Sequence, residues 1–258
     1  MEIQTIVFSC LAAFLAGFID SIVGGGGLVQ VPALFILFPS YSVPQIIGTN
    51  RFSSFMGTAV AGYQYSKKVK IPWKTVLFAG IGAGIMSYLG ALVSSLMSER
   101  ILKPTILILM AVIAIYSYQK KDLGQEEKHR FEISKIPLYG LLIGMTTGFY
   151  NGFVGPGTGS LLVFGFVSII GYSFLSASAI SKVVNVIADM SSLIFFIGKG
   201  FVMFQIAIPM MICNIIGSYI GSKLAILKGN AFVRNIFLVV VFGLIIRFGY
   251  DVLKLYIR

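Results

Sequence analysis

Charged side chains are scarce in this sequence of 258 residues, because lysine, arginine, aspartate and glutamate together make up only 11% of it. Soluble globular domains carry about 25% charged and about 45–50% apolar residues. Here 57% of the residues are hydrophobic, and the mean hydropathy is +0.92. The excess apolar surface must face lipid, which excludes a cytosolic enzyme, a secreted disulfide scaffold and a disordered chain.

Cysteine and histidine are also rare, with Cys10 and Cys213 inside apolar segments and His129 as the single histidine. Such a set forms neither a disulfide framework nor a Cys/His metal cluster, so we expect no metal and no other cofactor. Basic residues outnumber acidic ones by 20 to 9, giving a formal net charge of +11. In a polytopic membrane protein this surplus belongs to cytoplasmic loops, so it does not indicate nucleic-acid binding.

Apolar stretches of about 20 residues, the length that spans a bilayer as a helix, recur along the chain. They predict an all-α, polytopic membrane protein with about eight to ten transmembrane segments. Two shorter runs, Gly27 to Phe38 and Gly159 to Gly171, each follow a glycine-rich break and would span only about 18 Å as helices. The long windows are residues 3–23, 46–66, 72–97, 101–118, 136–154, 177–198, 202–226 and 232–254.

The centre of the chain is its only segment dense in charge, and an offset of 131 residues aligns the sequences on either side of it. At this offset Gly17 falls on Gly148. Ser87 falls on Ser218 in the same register, which indicates a duplicated transporter-like half. The predicted parts are a first transmembrane repeat, a linker and a second transmembrane repeat, residues 1–118, 119–135 and 136–258.

The basic loops predict which side of the membrane they occupy. Loops 67–74, 119–135 and 223–234 carry 4, 5 and 3 basic residues, against 5 on the other side. Loops 67–74 and 119–135 are therefore expected to be cytoplasmic. The count does not distinguish inverted from parallel repeats. We favour inverted repeats. The long helix and the short run around each glycine break either both cross the membrane or form one hairpin, and both arrangements give each half an odd number of crossings.

Two glycine-rich breaks occupy corresponding positions in the two halves. They read Gly24-Gly25-Gly26-Gly27 and Gly155-Pro156-Gly157-Thr158-Gly159. Irregular backbone is not tolerated in lipid, so both breaks should be buried in protein or line a cavity. The helix after each break would direct free N–H groups and the positive end of its dipole at it, which favours an anion site. The alternative is that the glycines only allow close helix packing.

Two cations, Arg51 and Lys182, correspond at the same offset and lie inside apolar windows. A charge at membrane depth is costly and usually faces a partner or a water-filled cavity, although a long side chain can also extend to the interface. We expect both residues to bind the substrate. Polar neighbours on the same segments, Asn50, Ser181 and Asn185, are predicted to contribute further contacts.

Two carboxylates complete the predicted site. Asp189 lies seven residues after Lys182, on one helix face with Asn185, and Asp20 precedes the first glycine break. Either carboxylate is a candidate group for coupling to H+ or Na+, because desolvation moves the titration of a carboxylate toward neutral pH. The alternative for Asp189 is that it only neutralises Lys182.

The segments around these residues resemble the sulfite exporter TauE/SafE family, also called the toluene sulfonate uptake permease family. The resemblance lies in GFIDSIVGGGGLVQVPAL and GTNRFSSFMGTAVAGYQY of the first half, and in GFYNGFVGPGTGSLL and AISKVVNVIADMSSL of the second. Pro156, within the second glycine motif, departs from the family pattern. The resemblance implies a duplicated polytopic fold that carries small sulfur-containing or organic anions, such as sulfite or sulfonates.

We therefore predict a secondary transporter, not an enzyme, that moves a small anion across the cytoplasmic membrane. The partners would be the anion, the lipid bilayer and a coupling H+ or Na+, because no ATP-binding motif is present. Two alternatives remain open. One is an anion channel, and the other is an intramembrane enzyme that uses Asp20 and Asp189 as a carboxylate pair.

Overall fold

The computed structural model describes residues 3–97 and 131–256, and the regular structure in these ranges is helical throughout. The predicted span 101–118 and linker residues 119–130 lie outside the described residues. The helices of the first half are α1 (Ile3–Val23), α2 (Gly27–Leu37), α3 (Val43–Lys68) and α4 (Trp73–Leu96). Those of the second half are α5 (Ile136–Phe153), α6 (Thr158–Gly165), α7 (Phe174–Gly198) and α8 (Phe204–Tyr256).

The all-α prediction is confirmed, and both short apolar runs form helices after the glycine breaks. A π-helical turn, Phe166–Ile170, continues α6. The segment α8 consists of two helices that meet at a kink at Gly229, whose backbone is not helical, in agreement with the two predicted windows 202–226 and 232–254.

Within the described ranges, four helices are long and apolar enough to cross a membrane: α1, α4, α7 and the Phe204–Gly229 part of α8. At 26 residues α3 is also long enough, about 39 Å at 1.5 Å per residue. It is more polar than the others because its inward face buries Thr49, Asn50, Arg51 and Ser53. A multi-pass membrane protein with its polar groups turned inward accounts for this distribution.

Corresponding serines begin the two helices that carry the buried cations. Ser42 Oγ accepts a hydrogen bond from the Gln45 N–H at 3.4 Å ahead of α3. Ser173 Oγ accepts one from the Ser176 N–H at 3.2 Å ahead of α7. Each bond satisfies an N–H group that has no partner within its helix. Arg51 and Lys182 therefore lie at the same height above the start of their helices.

Helices of the two halves pack against each other: α1 packs most extensively on α8, and α4 packs most extensively on α5. Glycines make both contacts close. A Cβ atom added to Gly90 would collide with the Phe149 carbonyl, and one added to Gly221 would collide with the Phe18 carbonyl. These contacts repeat at the offset of 131 residues. The inverted orientation of the repeats stays a prediction.

A side chain at the α4–α5 contact should destabilise the fold. We expect Gly90→Val to lower the free energy of unfolding by about 1–3 kcal/mol, because the backbone of α5 has to move aside. Gly198→Val is the matched control, since no atom lies within 4 Å of a Cβ added there. Thermal unfolding of both variants in detergent measures the difference. Equal melting temperatures would contradict the close contact.

Candidate functional site

The two glycine breaks meet at the centre of the molecule. Gly24 has φ +82°, a left-handed conformation that glycine adopts without strain, and its backbone lies against that of Gly159. The Ser160 N–H donates to the Gly24 carbonyl at 3.1 Å, and the Ser160 hydroxyl donates to the Val23 carbonyl at 3.1 Å. The end of α1 is thus hydrogen-bonded to the start of α6.

Several backbone N–H groups at these breaks are free. Among the described residues, no acceptor lies within hydrogen-bond distance of the N–H groups of Gly27, Gly157 and Gly159. Gly26 differs, because its N–H donates to Asp20 Oδ1 at 3.3 Å. The first N–H groups of a helix have no partner inside it and carry the positive end of its dipole. The starts of α2 and α6 therefore both offer donors to an anion.

Each buried cation forms an ion pair with a carboxylate of the opposite half. Arg51 Nη1 lies 2.6 Å from Asp189 Oδ1, and Lys182 Nζ lies 3.0 Å from Asp20 Oδ2. Asp189 therefore neutralises Arg51, and the alternative that it neutralises Lys182 is wrong. Spacing along α7 places Asp189 and Lys182 on one face, but the nearest opposite charge comes from another helix.

The two cations also bind backbone carbonyls at corresponding positions. Arg51 Nη2 donates to the carbonyl of Asn151, near the end of α5. Lys182 Nζ donates to the carbonyl of Asp20, near the end of α1. Residues 20 and 151 are related by the offset of 131, so each half supplies a cation to the broken helix of the other.

Two asparagines surround the Asp189 carboxylate. Asn151 Nδ2 donates to Asp189 Oδ1 at 3.0 Å and to Asn185 Oδ1 at 3.2 Å. Asn185 Nδ2 donates to Asp189 Oδ2 at 3.3 Å. With Arg51, these amides give a buried carboxylate the polar partners that it needs in an apolar interior.

A cavity of about 30 Å³ lies between the breaks and the ion pairs. Most of the predicted site residues line it. Of the predicted set, the lining includes Asp20, Gly24, Gly26, Gly27, Asn50, Arg51, Gly155, Gly157, Gly159, Asn185 and Asp189. Three predicted residues, Gly25, Ser181 and Lys182, do not line it. Lys182 is fully buried behind the cavity, where it binds Asp20.

Sequence reasoning missed two amide side chains in the lining, Gln30 of α2 and Asn214 of α8. Asn214 Nδ2 donates to the Ala13 carbonyl at 3.0 Å and lies 3.5 Å from Gln30 Oε1. A polar side chain in a membrane-spanning segment usually faces a partner or a cavity, and this was the available signal. The residues at the offset of 131, Leu161 and Ala83, are apolar, so the repeat gave no support.

Two lining residues have buried polar atoms without a partner among the described residues: Arg51 Nε and Asn50 Oδ1. Both side chains are more than nine-tenths buried. An unpaired polar atom in an interior is costly, and an unpaired N–H of a cation is a donor available to a ligand. The site therefore combines one guanidinium N–H with backbone N–H groups from two helix starts.

A family model described as Sulfite exporter TauE/SafE matches residues 9–248. The chain belongs to the TauE/SafE family. The resemblance inferred from the glycine motifs is confirmed.

Relatives in this family are named as transporters. A probable membrane transporter protein, ORF9, of Sinorhizobium sp. is 31% identical over 255 residues, covering 96% of this chain and 93% of that protein. A probable membrane transporter protein of Haemophilus influenzae is 31% identical over 238 residues, covering 92% of each chain. The probable membrane transporter protein YfcA of Escherichia coli K12 is 31% identical over 88% of this chain and 83% of its own. No solved structure matches the chain.

The Lys182–Asp20 pair predicts a non-additive pair of substitutions. Lys182→Met leaves the Asp20 carboxylate buried without its cation, which should cost about 3–5 kcal/mol of unfolding free energy. Adding Asp20→Asn removes the uncompensated charge and should restore most of that loss. Thermal unfolding of the wild type, the two single variants and the double variant gives the coupling. A double variant less stable than Lys182→Met would contradict the pairing.

Proposed function

We propose that this protein is a secondary transporter that moves sulfite, or a related sulfonate or sulfur oxyanion, across the cytoplasmic membrane. The family and the names of the relatives support a membrane transporter. The observation that carries the anion assignment is the cavity between the glycine breaks. There Arg51 Nε and the N–H groups of Gly27, Gly157 and Gly159 have no hydrogen-bond acceptor among the described residues.

The chemistry of these donors supports an oxyanion as the substrate. Helix starts bind sulfate, phosphate and carboxylate groups through their N–H groups and dipole. An arginine N–H bond to an anionic oxygen is charge-assisted and about twice as strong as a neutral hydrogen bond. Discontinuous helices that direct such ends at an anion near the bilayer midplane are a recurring design of secondary transporters.

The lining favours a compact anion over one with a bulky apolar tail. It contains no aromatic side chain and no leucine, isoleucine or valine; Ala16 is the largest hydrocarbon side chain among the described lining residues. One water molecule needs about 10–15 Å³ measured in the same way as the cavity of about 30 Å³. A small sulfur oxyanion requires the least expansion of this contracted site, and an aryl sulfonate requires the most.

The position of the site favours transport by relative motion of the two halves. Its donors come from α2 and α3 of the first half and from α6 of the second. A shift of one half against the other would separate the helix starts and open the cavity. We place loops 67–74 and 119–135 on the cytoplasmic side, following their basic residues.

The structure gives no support to the alternative of an intramembrane enzyme. A carboxylate pair of the aspartic-protease type consists of two adjacent carboxyl groups that share one proton. Here Asp20 and Asp189 each pair with a different cation. Family membership also points to a transporter.

Removing the cavity cation should impair transport. We expect Arg51→Gln to reduce sulfite uptake into proteoliposomes at subsaturating concentrations by at least about tenfold, because a charged hydrogen bond of about 1.5–3 kcal/mol is lost. Lys199→Gln is the matched control, since this exposed lysine lies at the end of α7, outside the site. Uptake is measured with radiolabelled sulfite, and folding by gel filtration.

The proposal fails if well-folded Arg51→Gln protein transports sulfite as the wild type does. It also fails if the wild type moves neither sulfite nor any small sulfonate.

Toluene sulfonate should compete with sulfite less well than methanesulfonate does, because the lining has no surface for an aromatic ring.

A further inference from the structure

The buried charges of the described residues balance before any substrate enters. They are two cations and two carboxylates, Arg51, Lys182, Asp20 and Asp189. Each cation pairs with one carboxylate. An anion in the cavity adds negative charge that no further buried cation offsets among the side chains whose burial the structure describes. Because an uncompensated buried charge is strongly unfavourable, binding is favoured when the site loses a negative charge or gains a positive one.

Only one side-chain nitrogen of Arg51 has no hydrogen-bond partner among the described residues. Its Nη1 donates to Asp189, its Nη2 donates to the carbonyl of Asn151, and its Nε has no partner among the described residues. A guanidinium binds an oxyanion most strongly through two parallel N–H groups. Bidentate binding therefore engages at least one nitrogen that already donates to the protein. Asp189 is the competitor with the same charge as the substrate, so its bond to Arg51 is the one that the anion weakens.

The second ion pair lies outside this competition. Lys182 does not line the cavity, and its Nζ binds both the side chain and the carbonyl of Asp20. Asp20 also accepts hydrogen bonds from the Gly26 N–H and the Thr58 hydroxyl, each at 3.3 Å. An anion on Arg51 leaves all of these bonds in place. Substrate binding therefore weakens the bond between Asp189 and Arg51 but leaves the bonds of Asp20 in place.

A protonated Asp189 would find an acceptor beside it. Asn151 Oδ1 is buried and has no partner among the described residues, although its own Nδ2 lies 3.0 Å from Asp189 Oδ1. A half-turn of the Asn151 amide exchanges these two atoms. The amide oxygen then accepts a hydrogen bond from the new O–H of Asp189. The unsatisfied oxygen of the present arrangement becomes satisfied in the protonated one, and in exchange Nδ2 gives up its bonds to Asp189 and Asn185.

Resting on the proposed function, we infer that Asp189 takes up one proton when the anion binds Arg51, so that anion and proton cross together. The proton comes from bulk water, resides on the Asp189 carboxyl group and leaves with the anion. The charged groups that act on Asp189 are Arg51 from α3 and Asp20 from α1. From α5, the Tyr150 hydroxyl is near Arg51 but donates to the Pro156 carbonyl at 2.6 Å.

The inference requires affinity to depend on pH. Where Asp189 is ionised in the free protein, uptake of one proton per anion weakens binding of a given anion form by about tenfold for each unit of rising pH. By reciprocity, the bound anion favours protonation of Asp189 by the same factor by which protonation of Asp189 favours anion binding.

Calorimetric titration of purified protein with sulfite, in buffers of different ionisation enthalpy, counts the protons taken up per sulfite bound. The wild type should take up about one proton more than Asp189→Asn, and sulfite's own protonation cancels in this difference. The matched control is Lys199→Gln, which leaves both ion pairs intact and should keep the wild-type count. Equal counts in the wild type and Asp189→Asn would overturn the inference, as would loss of the proton in the control.

A measurement on the wild type alone covers the case in which a variant does not fold. Infrared difference spectra on sulfite addition should show a new band from a protonated, buried carboxylic acid. Sulfite binding without this band would overturn the inference while leaving the proposed function standing. Absence of sulfite binding to the wild type would instead contradict the proposed function and the inference together.

Discussion

Backbone that leaves the helical conformation inside a membrane must find its hydrogen bonds within the protein, and this requirement organises the centre of the molecule. The carbonyl groups near the ends of α1 and α5 receive donors from the opposite half. Ser160 binds the carbonyls of Val23 and Gly24, and Lys182 binds that of Asp20. Arg51 binds that of Asn151. Neither broken helix is complete without the other half.

This pattern leaves the site with an excess of donors. The carbonyls on one side of each break are hydrogen-bonded, whereas the N–H groups of Gly27, Gly157 and Gly159 have no acceptor in the described part of the chain. Arg51 takes part both in the contact between the halves and in the site, because it donates to a carbonyl of α5 and lines the cavity. A ligand that binds Arg51 must therefore affect the contact between the halves. In a transporter, this links occupancy of the site to the motion that opens it.

The sequence was sufficient to predict the two breaks, the cations in the apolar windows and the need to bury the breaks in protein or at a cavity. The glycine runs recur at one offset, which also places Arg51 on Lys182, and a membrane leaves few places for broken backbone. The choice of ion-pair partner was not predictable, because spacing along α7 does not show which helix of the other half lies opposite Asp189. The different position of Lys182 was not predictable for a related reason. The acidic residues do not repeat, and Asp20, which lines the cavity, binds Lys182 behind it.

The central claim is that Arg51 and the two helix starts hold the anion together. A structure determined with selenite, a heavier analogue of sulfite whose selenium can be located by anomalous scattering, tests this most directly. The account predicts one selenium position within hydrogen-bonding reach of Arg51 Nε and of the N–H groups of Gly27 and Gly157 or Gly159. Selenium bound elsewhere, with this cavity empty in protein that transports the anion, would contradict it.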